Sequence, residues 1–380
     1  MPEAPDGPGG PEDAARTALE AALGPGDEAS VGASPGRVTL IGDHIDYVGG
    51  RVACTAIDLG LAVGVRRSRD GHWRAAGLGT RVQRDTPEMA GDIGDRLFAA
   101  AVALRRRGVE VPPLEMAVTG DLPASAGLSS SAAVVTAAAV AILRLQHLRV
   151  TAEDLVGIAL AAERDVVGVP CGELDQRAVV HSRGGSVLII DCAVNDRWRV
   201  VWPWPRISLL VVASGESHDV GGGEYRSLRR AAEGACTALA VASCQEIGDR
   251  WEELSPDLRP AGRHIATETR RTDQAVGALR AADPAALGRL MNESHLSLRR
   301  DCGASTRLLD SMVAAARGVR GCHGARLTGA GFGGSIIALV ERPAAAACAA
   351  AVAAVGATGG AWLVHPSDGL EVTAPDAVVA

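Results

Sequence analysis

The chain contains no lysine, so each of its 38 basic residues is an arginine. That absence excludes three kinds of phosphate or carbonyl chemistry. A GxxxxGK[ST] loop, the strand lysine of a protein kinase and a pyridoxal Schiff base all need a lysine ammonium. Any nucleotide phosphate must instead be held by backbone amides, hydroxyls, arginine and carboxylate-bound metal. A basic excess is also lacking. The net charge of −7 and the pI near 5.8 argue against a nucleic-acid partner or an anionic-membrane surface, while leaving room for a local basic pocket.

The eight cysteines (54, 171, 192, 236, 244, 302, 322 and 348) include no CxxC pair and no finger-like Cys/His spacing, so they read as reduced thiols. The opening run MPEAPDGPGGPEDAA is acidic and rich in Pro and Gly, without the basic region and apolar core of a secretion signal, and a cytoplasmic location is expected. Residues 344–364 form the one membrane-like run. They are mostly Ala and Gly and are interrupted at Gly356, Gly359 and Gly360, which predicts a helix followed by a strand rather than a span.

A chain of 380 residues can hold two domains. The pattern predicts a leader over residues 1–28 that includes a short helix at 14–23. Short strands are expected at 37–41, 52–56, 61–65 and 114–118, and helices at 129–147 and 151–166. Strand signals return at 186–190 and 209–213, around a Trp/Pro turn at 202–205. Helices are expected at 223–248, 260–281, 284–297 and 305–317, with a strand pair flanking Gly329 to Gly334. This alternation implies an α+β fold, divided into 29–205 and 206–380.

Four constellations carry chemistry. The first is GDLPASAGLSSSAAVV (120–135), a flexible Gly/Ser loop entering an apolar segment that has no charge between Asp121 and Arg144. Small residues let backbone N–H groups crowd around an anion, and the positive end of the following helix adds field. The same pattern also serves a plain loop before a buried Ala/Val helix. The second, PGRVTLIGDHIDYVGG (35–50), gathers Arg37, Asp43, His44 and Asp46 at a strand-to-turn junction. Paired carboxylates and an imidazole can bind adjacent hydroxyls, and equally they can cap a solvated turn. PCGELDQ (170–176) and LTGAGFGGS (327–335) are weak signals by themselves: an Asp after Gly commonly caps a helix, and Gly-rich hairpins are common.

Taken together and in order, GRVTLIGDHIDYVGG, GDLPASAGLSSSAA with PCGELDQ, and LTGAGFGG resemble the three motifs of the galactokinase branch of the GHMP small-molecule kinases. The resemblance runs from about residue 30 to the C-terminus. It includes the stretch beginning RHIATETRRTDQAV. It implies a two-domain GHMP kinase fold with the active site in the interdomain cleft. The implied activity is phosphoryl transfer from ATP to the anomeric hydroxyl of galactose. By residue matching, Ser125, Ala126, Gly127, Leu128, Ser129, Ser130 and Ser131 would wrap the ATP phosphates, and Ser131 with Glu163 would hold Mg²⁺. Asp175 would be the base with Arg37 beside it. Asp43, His44, Asp46, Gly172 and Tyr225 would contact the sugar.

The chain departs from the usual motifs at the sugar end. The pattern GEHTDYNGG reads GDHIDYVGG, which changes positions 43, 45 and 48, and CGIMDQ reads CGELDQ, which introduces Glu173. A carboxylate shortened by one methylene at Asp43, with Ile45 beside it, makes a modified or longer galacto-configured aldose an alternative substrate. A silent sugar sensor is a third reading. The intact run from Ser129 to Ala132 opposes it.

Overall fold

The computed structural model describes residues 11–124, 126–216 and 223–370. Two sheets organise the chain. The first contains β1 (Ser30–Ile41), β2 (Arg51–Arg67), β3 (Trp73–Gly77), β4 (Thr80–Arg84), β5 (Leu114–Gly120), β6 (Ser186–Asp191) and β7 (Asp196–Val201). Its order is β4-β3-β5-β2-β6-β7, with β1 paired antiparallel to β2. The second sheet is β11-β8-β10-β9, built from β8 (Ile207–Ala213), β9 (Cys322–Thr328), β10 (Ser335–Glu341) and β11 (Ala361–Val364). The chain leaves the first sheet after Val201 and enters the second at Ile207, on either side of the Trp202 to Pro205 turn.

Side chains alternate across a strand, so each sheet presents two apolar faces. On β1 and β2, Val31 and Ala62 pack with Ala15 of α1 (Pro11–Leu23), whereas Leu61, Val63 and Val65 join the cluster that contains α2 (Gly94–Arg106) and α3 (Ser130–Leu145). Helix α3 comes so near that a Cβ on Gly32 would stand 2.1 Å from the Ala137 carbonyl oxygen. The same parity operates in the second sheet. Leu210, Val212, Ile336 and Ala338 pack on α9 (Arg307–Arg317) and α10 (Ala345–Ala353). Leu209, Val211, Ile337 and Leu339 instead share the main cluster with α7 (Arg259–Arg280) and α8 (Pro284–Arg300).

Several boundaries differ from the sequence expectation. The strands expected at 52–56 and 61–65 are one strand, because β2 runs on through Gly60 with a register shift opposite Pro35 and Arg37. Helix α1 starts at Pro11 and is docked through the fully buried Ala15 and Leu19, so the N-terminal segment is built into the fold from that point. The helix expected at 223–248 is α6 (Gly223–Ala238). It stops because Ala240 turns left-handed (φ 52°) and Ser243 caps a new 3₁₀ turn with Glu246. Strands β3, β4 and β7, helix α2 and α5 (Leu174–His181) carried no recognised signal. After β11 the chain returns to the first half, where the Ser367 N–H donates to the Ala56 oxygen (3.0 Å) and the Leu370 N–H to the Val179 oxygen (2.7 Å). No helix among the described residues is long and apolar enough to cross a membrane.

Candidate active site

A cavity of about 970 Å³ opens between the two sheets. It is lined by β1 and the loop after it, the Gly/Ser loop, the start of α5, Tyr225 of α6 and the Gly329 to Gly334 turn. Of the described residues expected to bind substrate, phosphate or metal, all but Ala126 and Leu128 line it. Ser125 lies outside the described residues.

Arg37 is the hinge of the arrangement. Register shifts on either side of its stretch of β1 re-aim this part of the strand, and its side chain is buried (5% exposed). Its guanidinium meets Asp175 Oδ1 through Nε (2.9 Å) and Nη2 (2.6 Å), while Nη1 donates to the Gly127 oxygen at 2.7 Å. Its own N–H donates to the Leu128 oxygen at 3.1 Å. One side chain therefore ties the Asp175 carboxylate to the Gly/Ser loop. Burial disfavours the charge on Arg37, but the attraction of Asp175 and Asp43 outweighs it and raises its pKa. Asp175 sits in the first turn of α5, with its side chain 30% exposed to the cavity.

The loop is shaped by left-handed residues at Gly127 (φ 71°) and Ser129 (φ 61°), and it is pinned by the Ser335 hydroxyl, which donates to the Ala126 oxygen at 2.6 Å. Leu128 is fully buried as the loop's apolar anchor. The loop delivers the chain to α3, whose first N–H groups have no intrahelical partner. Ser129 Oγ is buried without a partner among the described residues, a donor that an anion in the cavity would satisfy. Ser130 and Ser131 line the cavity beside it. Ser131 donates to Glu163, which also receives the amide of Gln176. Glu163 lies in a π-helical turn (Ala162–Val167) continuing α4 (Ala152–Ala161). Burial pushes its pKa up to about 7, against the hydrogen bond from Ser131. Such a carboxylate favours the approach of a cation.

At the other end, Asp43, His44, Asp46 and Tyr225 surround the Gly329 turn. His44 is left-handed (φ 64°) and held by Tyr47 Oη (3.2 Å) and the Ala330 oxygen (2.9 Å). Burial, followed by repulsion from His264, lowers its pKa to about 4, so the ring is neutral at physiological pH. The chain has two tyrosines, and both are here: Tyr47 and Tyr225 meet edge to face at 6.0 Å, and Tyr225 lies 5.8 Å from His44. Burial raises the Tyr225 pKa further, keeping its hydroxyl protonated.

Asp43 does not stand alone. Its carboxylate pairs with Arg326 of β9, which also donates to the Leu40 (2.9 Å) and Leu327 (2.8 Å) oxygens. Arg326 approaches Glu268 of α7 at 3.6 Å, and Glu268 binds Arg271, Ser294 and the Gly42 N–H. Burial would raise the Glu268 pKa, but Arg271 and Arg326 hold it down to about 2. Sequence reasoning missed Arg326, Glu268, Tyr47, Gln176 and Arg96. The available signals were an arginine inside an apolar strand, directly before LTGAGFGG, and a glutamate within the RHIATETRRTDQ stretch.

Three departures that had pointed to a reshaped pocket face elsewhere. Ile45 is fully buried among Ala232, Ala235, Leu239 and Ile247, and Val48 packs on the same cluster. Glu173 binds Arg177 at 2.9 Å outside the cavity. Of the four, Asp43 alone lines it.

Asp46 makes the site sensitive to pH. Burial first, then repulsion from Asp175 and Asp43, raises its pKa from 3.8 to about 7. Between those two values the folded protein binds a proton that the unfolded chain has lost. Stability therefore falls as pH rises through this window and levels off above about 7. The melting temperature of the ligand-free protein is expected to drop between about pH 5 and pH 7 and to drop less in Asp46→Asn, as calorimetry at a series of pH values would show.

Comparison with known proteins points one way. Residues 95–183 match the GHMP kinases N terminal domain, 275–358 the GHMP kinases C terminal domain, and 23–67 the galactokinase galactose-binding signature. The galactokinase of Roseiflexus sp. (strain RS-1) is 35% identical over 337 residues, 81% of this chain and 83% of that protein. The Homo sapiens galactokinase is 32% identical over 375 residues, covering 94% and 95%. Among solved structures, the Lactococcus lactis galactokinase complexed with galactose superposes with a TM-score of 0.87 at 25% identity, covering 95% of this chain and 99% of that one. A Methanococcus jannaschii mevalonate kinase shares the fold (TM-score 0.69, 18% identity, covering 90% and 100%).

Proposed function

Since the chain belongs to the galactokinase branch of the GHMP kinases, we propose that it transfers the γ-phosphoryl group of ATP to the anomeric hydroxyl of galactose in the cytoplasm. The observation that carries this reading is the Arg37 bridge, which holds the Asp175 carboxylate and the Gly127 carbonyl in one cavity. The acceptor base and the phosphate loop are thereby set at a fixed separation. Eight free cysteines accord with a reducing compartment.

In this reading Asp175 accepts the proton of the anomeric hydroxyl, which is more acidic than an ordinary alcohol, as its oxygen attacks phosphorus. Arg37 orients the Asp175 carboxylate through Nε and Nη2 and faces the charge on the transferring group. Neutral His44, Asp46, Asp43 and Tyr225 pair with the sugar hydroxyls. The transition state of such transfers is loose, so holding donor and acceptor in line matters as much as basicity. Leu61, Ile93, Leu97, Val118, Leu122 and Val134 form the apolar part of the cavity, suited to the nucleotide base. The N–H groups opening α3 and the Ser129 hydroxyl then receive the phosphates.

The residues present also suit Mg²⁺. The Ser131 hydroxyl and the Glu163 carboxylate supply two hard oxygens, and no group of three or more His, Cys, Asp or Glu forms a cage among the described residues. An ion completed by phosphate oxygens and water needs no more than that. When bound it would neutralise charge developing on the phosphates.

Gly172 is a small residue that the acceptor end cannot exchange. A Cβ there would lie 1.8 Å from Asp46 Oδ2 and would force that carboxylate aside. Gly172→Ala is expected to raise the KM for galactose by about tenfold or more, the value of one lost hydrogen bond to a charged group, with the KM for ATP unchanged in steady-state kinetics. The function itself is tested by coupled ADP release with MgATP against galactose, 2-deoxygalactose, galactosamine, glucose and seven- or eight-carbon galacto-configured aldoses. Galactose should turn over best. Turnover confined to the longer sugars would instead make Asp43 a substrate-switching residue.

A further inference from the structure

We infer that Arg96 is a nucleotide-phosphate ligand, the side chain that grips the β- and γ-phosphates where other folds use a lysine. The inference rests on the cavity being a nucleotide site, and it concerns a residue that none of the sequence motifs contains. Five carboxylates and two guanidiniums, Arg37 and Arg96, line the cavity, and His44 is neutral. A polyphosphate entering so acidic a cleft needs a cation that is free to meet it. Arg37 is committed to Asp175 and Gly127.

Arg96 is free, and the local structure explains why. It stands in the first turn of α2, beside the carboxylates of Asp92 and Asp95. Both are taken by Arg84, which pairs with Asp92 and reaches Asp95 at 2.7 Å. Asp95 additionally accepts from the Ala90 (2.9 Å) and Gly91 (2.8 Å) N–H groups. Arg96 therefore turns across the cavity, and its Nε donates to Ser131 Oγ at 3.0 Å. That is the one hydrogen bond it makes among the described residues, and it forms no ion pair among them. Four guanidinium N–H groups remain beside the N-terminus of α3, Ser131 and Glu163. They can meet two phosphate oxygens side by side, the geometry in which a guanidinium surpasses an ammonium. With no lysine in the chain, the fold gives this task to an arginine on α2.

Arg96 is exposed at the cavity wall, so its replacement leaves the core intact. Titration calorimetry of the full chain with ADP and with AMP, each with Mg²⁺, tests the inference without requiring turnover. Arg96→Met should weaken ADP binding by about 10- to 100-fold, the range for losing hydrogen bonds between charged groups, and leave AMP binding within about twofold. Arg96→Lys should fall between. The ADP affinity of the wild type should also decline more steeply with added NaCl than that of Arg96→Met. Unchanged ADP affinity in Arg96→Met, or an equal loss for ADP and AMP, would overturn the assignment. A wild-type protein that binds neither nucleotide would instead overturn the kinase reading itself.

Discussion

Asp175→Ala is expected to lower kcat by about 10²- to 10⁴-fold while leaving the KM for ATP near that of the wild type, because general-base assistance contributes on that scale. The geometry sharpens the expectation. Asp175 is the carboxylate that receives both Nε and Nη2 of Arg37, so its loss removes the proton acceptor and also releases the guanidinium that anchors Gly127. Asp175→Asn separates the two effects. The amide retains an oxygen for Arg37 but cannot accept a proton, and its kcat should fall nearly as far as that of the alanine variant. A rapid-quench measurement of the first turnover locates the loss in the chemical step. Wild-type turnover in either variant would remove Asp175 from the reaction.

The second large effect concerns stability. Arg326→Leu is expected to destabilise the protein by about 3–5 kcal/mol, since it strands a buried charge whose partner is gone. Arg326 is fully buried and stands between Asp43 and Glu268, which are buried as well. Glu268 keeps Arg271, whereas Asp43 keeps only the more distant field of Arg37. Burial already raises the Asp43 pKa to about 6 even with Arg326 in place. Removing Arg326 would push it higher and leave an uncompensated acid at the end of β1. In Arg326→Leu/Asp43→Asn the penalty should shrink by half or more. Urea unfolding of the four proteins in the cycle checks both statements, and equal destabilisation of the single and double variants would show that Arg326 acts through packing rather than charge.

The legible parts of this protein are those in which chemistry and spacing are local. The loop from Ala126 to Ser131 stands out through its small residues and the helix after it, which carries no charge before Arg144. Arg37, His44 and Asp46 sit within ten residues of one another, whereas Tyr225 was reached only through the family resemblance, because a tyrosine before an Arg-rich helix otherwise reads as packing. What stayed hidden depends on the closure of the fold. Asp43 and Arg326 are 283 residues apart, and Gly42 and Glu268 are 226 apart. No local pattern joins them. Side-chain direction was also unreadable. Ile45 and Val48 lie in the motif as plausibly as His44, yet the 3₁₀ turn at Asp46–Val48 sends both into the α6 cluster. Gly60 reads as a turn, but β2 passes through it because β1 and β5 pair with the strand beyond that point. Arg96 gave no sign, for its freedom depends on Arg84 occupying the two carboxylates next to it.

The central claim, that a base held by Arg37 directs the γ-phosphoryl group to the anomeric oxygen, is tested most directly by the position of phosphate in the product. The purified protein, incubated with MgATP and galactose labelled with ¹³C at C1, should yield ADP and a sugar phosphate whose phosphorus couples to that carbon and its proton in ³¹P and ¹³C NMR. Phosphate on any other oxygen, or ATP consumption without a sugar phosphate, would contradict the account.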